Sequence, residues 1–276
     1  MLLVILFSTG LTVRAQTPTS SPTPAAPATP TLEKEFFKNI LRDQKAIWTA
    51  PFRIHNADTK WILPSAIGTM ALITTDRITG DEVAELDHFR KASRIISYPG
   101  STYGAATVAA SFYLLGRKQN DNRAREAGIL SAEASIDSLI VVSALKGITQ
   151  RARPRTGRER SEFFDGGDSF PSGHSAQVWA VATIIANEYH DHRAVQVAAY
   201  SIASAVSVAR FTSGKHYLSD AVVGSVLGYG IGKYVYRTHH REHKSDEVSS
   251  TSHWPAIGPR YNSHAHQYGV ELRWNF

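Results

Sequence analysis

Three short clusters hold the side chains best suited to chemistry. The first runs Lys146-Gly-Ile-Thr-Gln-Arg-Ala-Arg153-Pro154. On a helix that persists between them, Lys146 and Arg153 fall on one face two turns apart. Pro154 removes a backbone donor, stops the helix and turns the chain where Arg153 is presented. Two cations fixed on one face make a phosphate clamp, the guanidinium by its planar fork and the ammonium as a point charge. Taken alone, a basic run that continues through Arg155, Arg158 and Arg160 reads by default as a solvated face, or as a patch for nucleic acid or anionic lipid.

The second cluster is Ser169-Phe170-Pro171-Ser172-Gly173-His174-Ser175 at the entry to an apolar helix. Ser172 suits an N-cap, Gly173 allows close approach, and the free N–H groups of a helix start favour an anion. A histidine in that turn stands where a proton can reach a leaving oxygen. A capping serine beside an incidental histidine explains the same residues. The third cluster, Arg210-Phe-Thr-Ser-Gly-Lys-His216-Tyr-Leu-Ser-Asp220, sets His216 and Asp220 one helical turn apart. The carboxylate can then hold one ring nitrogen and leave the other basic, as a nucleophilic histidine requires. Arg210 lies across a short Gly-containing turn from the same point. Singly, this is a surface His/Asp pair.

Together the clusters read Lys-x6-Arg-Pro, Pro-Ser-Gly-His and Arg-x5-His-x3-Asp, and in that order they resemble the signature of the type 2 phosphatidic acid phosphatase (PAP2) superfamily. That superfamily includes bacterial acid phosphatases, membrane lipid phosphatases and vanadium-dependent haloperoxidases. The resemblance spans Lys146 to Asp220, and Ala209 departs from it where the family often has serine. It implies an all-α PAP2/haloperoxidase-type helical bundle that hydrolyses phosphate monoesters. By the same resemblance Lys146, Arg153 and Arg210 bind phosphate oxygens with Ser172 and the Gly173 backbone. His216 attacks phosphorus and carries a phosphohistidine, Asp220 orients it, and His174 protonates the departing alkoxide and later activates water. No metal or cofactor is implied. Lipid phosphates or polyprenyl diphosphates are slightly favoured as substrates over soluble organic phosphates. The alternatives are a vanadate-dependent haloperoxidase and a non-catalytic anion or lipid binder.

The elements that must position these residues are helical, because apolar residues from Leu32 onward recur at helical spacing between Gly, Pro, Asn and Asp. The periodicity predicts helices over 33–46, 61–75, 81–97, 102–115, 122–149, 172–190, 193–210 and 216–236. Small residues recur every fourth position at Gly224, Gly228 and Gly232, which suits close helix packing in water or a membrane. The uncharged runs are short or interrupted, so a soluble or membrane-surface domain is expected over an integral one.

The chain of 276 residues carries 30 Lys and Arg against 24 Asp and Glu. It has no cysteine, which excludes disulfide frameworks, thiolate metal sites and a cysteine nucleophile. Residues 1–15 read as an export signal ending at Val13-Arg14-Ala15, and 16–31 as a Pro/Thr/Ser-rich spacer. The phosphatase domain is then 32–237, in a protein expected to be periplasmic or extracellular, with membrane-surface contact and no nucleic-acid partner. The remainder, 238–276, is a polar tail with six of the 12 histidines, read as solvated rather than metal-capturing. Its last residues alternate from Tyr268 as in a strand, which could pair with another chain or with the segment near Trp254 to Tyr261.

Overall fold

The structure, a computed structural model, describes residues 32–53, 59–84, 90–154, 161–250, 256–262 and 267–273. The export signal, the spacer and Arg155, Arg158 and Arg160 lie outside the described residues. The expected all-α bundle is present: α1 (Leu32–Thr49), α2 (Thr59–Ala84), α3 (Arg90–Ile96), α4 (Thr102–Gln119), α5 (Asn122–Thr149), α6 (Gly173–Glu188), α7 (Arg193–Thr212) and α8 (Leu218–Ser250).

Local chemistry sets several of these ends. The Ser101 hydroxyl caps α4 by accepting from the Gly104 N–H, and the Asp121 carboxylate caps α5 by accepting from Ala124. Asn120 and Gln150 close α4 and α5 with φ of 55° and 44°. Of the expected helix over 81–97, α2 takes the start to Ala84 and α3 begins at Arg90, with 85–89 outside the described residues.

The centre of the bundle is α6, which packs against α5, α7 and α8. Its Ala180 and Ile184 join Leu130, Ala134 and Val141 of α5 and Ile231 and Val235 of α8 in the main core. The glycine stripe of α8 explains the closeness of that contact. A Cβ on Gly228 would stand 2.0 Å from the Ala176 carbonyl oxygen, and Gly224 and Gly232 meet Ser172 and Ala180 in the same way. Seating α8 this tightly on α6 brings the N-terminal ends of both helices together, where the second and third sequence clusters lie.

Two expectations change beyond residue 237. The helix does not end near Tyr236 but runs to Ser250, so the boundary drawn at 237 cuts through α8. Nor is the start of the tail solvated. His239 is fully buried, with Nε2 2.8 Å from the equally buried Asp43 Oδ2 of α1 and Nδ1 3.2 Å from Arg42. His240 stacks on Tyr236 and faces Glu126 and Glu188. Spacing on the sequence carries no sign of partners 196 residues away. The alternating terminal segment does form a strand, β2 (Gln267–Arg273), and pairs antiparallel with β1 (Ala256–Asn262) of its own chain, Tyr268 opposite Tyr261.

Burial alone would lower the His239 pKa, but the bond to Asp43 and its charge raise it above the ordinary value. The pair therefore stabilises the fold fully below about pH 6.5 and loses that contribution as pH rises through the raised value. His239→Ala leaves Asp43 buried without its partner, and the expected loss is about 3 kcal/mol. Urea melts of the parent should show stability falling with pH above the histidine range, and His239→Ala should be weaker and lack that slope.

Among the described residues α5 and α7 are long and apolar enough to cross a membrane. The apolar stretch of α5 is 61% buried inside the bundle, whereas that of α7 is only 22% buried. Ile62, Leu63, Ile67 and Met70 of α2, Leu114 and Leu115 of α4, Val197 and Ile202 of α7, and Val226 of α8 are all exposed. Exposure of this many large apolar side chains is unusual for a water-facing surface.

Candidate active site

The loop from α7 to α8 folds back on itself. Gly214, at φ 62°, makes the turn, and the N–H groups of Lys215 and His216 both donate to the Arg210 carbonyl. His216 thereby returns beside Arg210, as the spacing suggested. The imidazole is 2% exposed and its Nδ1 lies 2.8 Å from the Ser169 carbonyl oxygen. A carbonyl only accepts, so Nδ1 carries the hydrogen and Nε2 keeps its lone pair. Burial is the main cause that brings the His216 pKa down to about 4, against the upward pull of Asp220. Near pH 7 the ring is neutral.

Asp220 does not hold the ring nitrogen directly. Its Oδ2 is 3.6 Å from His216 Nδ1, beyond a hydrogen bond, because the nearer Ser169 carbonyl takes that proton. The carboxylate accepts instead from Ser169 Oγ at 2.5 Å, Tyr217 N–H at 2.9 Å and the Arg151 guanidinium at 2.7 Å. Ser169 therefore links the two, its carbonyl to His216 and its hydroxyl to Asp220. Burial would raise the Asp220 pKa, but His216 and Arg151 together hold it below the ordinary range.

At the start of α6, Ser172 is the N-cap, and its own N–H donates to the Asp220 carbonyl at 3.0 Å. The fully buried Ser172 hydroxyl oxygen accepts from the Ser175 N–H and hydroxyl, as an N-cap does. Gly173 opens α6 beside Lys146, since a Cβ there would lie 4.0 Å from Lys146 Cε. His174 follows and is half-buried. Burial is the largest cause of its pKa falling to about 3, and the charges of Arg210, His216, Lys146 and Arg153 add to it. The sensitivity of His174 to all four shows that the three clusters converge.

The cations differ in their partners. Arg153 donates to both carboxylate oxygens of Asp168, at 2.7 and 2.8 Å, and Lys146 Nζ donates to the Asp168 carbonyl. Arg210 is 9% exposed, and its buried Nε has no hydrogen-bond partner among the described residues. A guanidinium in that state is a strong donor to an anionic ligand. Arg153, His174 and Arg210 line a cavity of about 580 Å³ together with Arg94, Ser97, Ser213 and Lys215. The site is a basic cavity containing one half-buried neutral imidazole, with a second neutral imidazole buried at 2% exposure. It can bind a phosphate-like anion, with His174 on the cavity wall and the buried His216 within electrostatic reach of His174.

Four residues of this assembly do not stand out in the sequence: Asp76, Arg151, Asp168 and Ser169. Arg151 sits in the same basic run as Arg153, and nothing local separates a buried arginine from an exposed one two positions on. Asp76 did offer a signal, as an acid in a largely apolar helix segment.

Residues 127–244 match the family model described as PAP2 superfamily. A curated relative, the lipid A 1-phosphatase of Porphyromonas gingivalis, is 34% identical over 70 residues, which is 25% of this chain and 16% of that protein. The chain thus matches about a sixth of that relative's length. Two solved structures are also matched. The crystal structure of Aquifex aeolicus LpxE is 20% identical, with a TM-score of 0.43 over 55% of this chain and 87% of that one. The first transmembrane PAP2 type phosphatidylglycerolphosphate phosphatase from Bacillus subtilis is 19% identical, with a TM-score of 0.46 over 79% and 96%.

Proposed function

We propose that this chain, whose residues 127–244 match the PAP2 superfamily model, is a PAP2-type phosphatase acting on lipid phosphates at a membrane. The observation that carries the reading is the buried Arg210 guanidinium, with an Nε that has no protein partner among the described residues, beside two neutral histidines. A phosphate monoester dianion supplies the missing acceptor.

In the proposed reaction Lys146, Arg153 and Arg210 neutralise the equatorial oxygens of the phosphoryl group as charge spreads over them. His216 Nε2 forms the bond to phosphorus while the bond to the ester oxygen breaks and that oxygen takes a proton from His174. Water, deprotonated by His174, then attacks the phosphohistidine and releases phosphate and His216. Binding requires Arg153 to exchange Asp168 for substrate oxygens or to share its fork between them. The departure at Ala209 removes a hydroxyl that a serine would offer to phosphate and leaves the nucleophile untouched.

A lipid substrate fits the apolar exterior of α2, α4 and α7. It also fits an apolar groove of about 440 Å³ lined by Val208, Phe211, Leu218 and Val222, on the helices that flank the nucleophile loop. The apolar stretch in residues 2–13 and the segment Val13-Arg14-Ala15 support export, with a mature chain beginning at Gln16. The protein would then work at the outer side of a membrane, in the periplasm or beyond.

One experiment tests the substrate and the metal-free clamp together. Membranes and soluble fractions of expressing cells are assayed with phosphatidic acid in mixed micelles and with a soluble sugar phosphate, both in excess EDTA. Expected is membrane-fraction activity that prefers the lipid and persists in chelator. Activity lost to EDTA and restored by a divalent metal would reject the cation clamp, and a soluble enzyme with no lipid preference would reject the substrate class.

A further inference from the structure

Asp220, 3.6 Å from the His216 ring, belongs to a fully buried charge cluster. Arg151 donates through Nη1 to Asp220 Oδ1 at 2.7 Å and to Ser219 Oγ at 2.7 Å. Through Nη2 it donates to Asp76 Oδ2 at 2.7 Å and to Ser161 Oγ at 2.6 Å. Asp76 also accepts from the Ser219 N–H and hydroxyl at the first turn of α8. Arg151, Asp76, Ser219 and Asp220 are each 0% exposed, and the guanidinium lies over the Phe163 and Tyr217 rings. Asp76 comes from α2, a helix outside the stretch that matches the family, with an otherwise largely exposed face that packs on α8.

We infer that Asp76 and Arg151 are positioning residues for the nucleophile: they orient the Asp220 carboxylate and set the net charge that His216 feels as it becomes cationic during attack. The inference rests on His216 as the nucleophile. With all three groups ionised, Asp76, Arg151 and Asp220 carry a formal charge of minus one between them. An Arg151–Asp220 pair without Asp76 would be neutral and would do little to stabilise a positive imidazole ring. Asp76 thus restores to Asp220 the negative field that Arg151 would otherwise cancel, while Arg151 pins its orientation. Among the described residues, the other charged and titratable groups facing His216 are Lys146 of α5, Asp168 from the segment before α6, His174 of α6 and Arg210 of α7. They are untouched by changes on the far side of Asp220.

The charge arithmetic makes opposed predictions that a purely structural role would not. Asp76→Asn takes the cluster from minus one to zero, Arg151→Gln takes it to minus two, and the double variant returns it to minus one. The readout is the acid limb of the pH profile of kcat/KM with a nitrophenyl phosphate, a substrate that needs no proton from His174. Ionisation of the substrate is common to all variants and cancels in the comparison. The limb should move down by about one pH unit in Asp76→Asn and up by a similar amount in Arg151→Gln. It should lie near the parent position in the double variant. kcat should fall about tenfold in Asp76→Asn with KM little changed, because the poorer base is the poorer nucleophile.

Either single variant, if folded, decides by the sign of its shift, and thermal melts identify those that fold. If neither single variant folds, Ser219→Ala, which breaks the hydroxyl bridge between Arg151 and Asp76, must still move the limb. Limbs that stay in place, or move the same way in both single variants, overturn the inference. Full turnover in His216→Ala would instead overturn the nucleophile assignment on which it rests, so the two failures are distinguishable.

Discussion

His216→Ala is expected to lose turnover of every phosphate monoester, by about 10⁵- to 10⁶-fold, the scale seen when a covalent nucleophile is removed. The reason is geometric. The Ser169 carbonyl at 2.8 Å fixes the hydrogen on Nδ1, so Nε2 is the one basic atom of that ring, and burial keeps it unprotonated. His174 is the other neutral imidazole of the clusters, and in the proposed reaction it carries the proton. Lys146 and Arg153 are cations already engaged with Asp168, and the hydroxyls of Ser172 and Ser175 face each other in the helix cap. Radiolabelled substrate quenched at alkaline pH, where phosphohistidine survives, should label the parent and leave His216→Ala blank. Substrate binding should persist, because Lys146, Arg153 and Arg210 are all still present. A labelled His216→Ala, or one with activity within about tenfold of the parent, would mean that another group attacks phosphorus.

The parts of this site that the sequence exposes are those set by local spacing. The turn at Gly214 and the single helical turn between His216 and Asp220 place residues through the chain between them. Asn122–Thr149 could be bounded to the residue because Asp121 caps its start and Gln150 closes its end. What the sequence does not expose is held by partners far along the chain. Four helical positions suggested that Asp220 would grip His216, yet the grip comes from a carbonyl 47 residues upstream, and Asp220 is gripped by Arg151. The link from Asp76 to Ser219 spans 143 residues and that from Asp43 to His239 spans 196. Burial decides the role of each of these charges, and burial depends on the packing of whole helices. The histidine-rich stretch after Arg237 looked solvated for the same reason, since composition registers polarity and not the carboxylate of α1 waiting opposite.

His174→Ala is expected to separate the two halves of the reaction. An alkyl phosphate needs a proton on its leaving oxygen, and loss of a positioned donor should cost about 10² to 10⁴ in rate. A nitrophenyl ester departs without one and should lose far less in the first step. The same variant also lacks the base for the water, so phosphoenzyme should form from the nitrophenyl ester and accumulate. The low pKa of His174 has two causes. Burial is the larger and the surrounding cations add to it, and together they bring it to about 3. A bound dianion offsets the cations though not the burial, so the pKa rises in the complex and more of the ring is protonated as substrate arrives. Linkage then fixes the sign: an anion that raises the pKa binds more tightly as pH falls towards the value in the complex. Orthovanadate, which mimics the five-coordinate transition state, should therefore inhibit the parent more strongly at lower pH, and that slope should be reduced in His174→Ala. Equal losses for alkyl and nitrophenyl substrates in the first step, with the vanadate slope unchanged, would assign the proton to some other group.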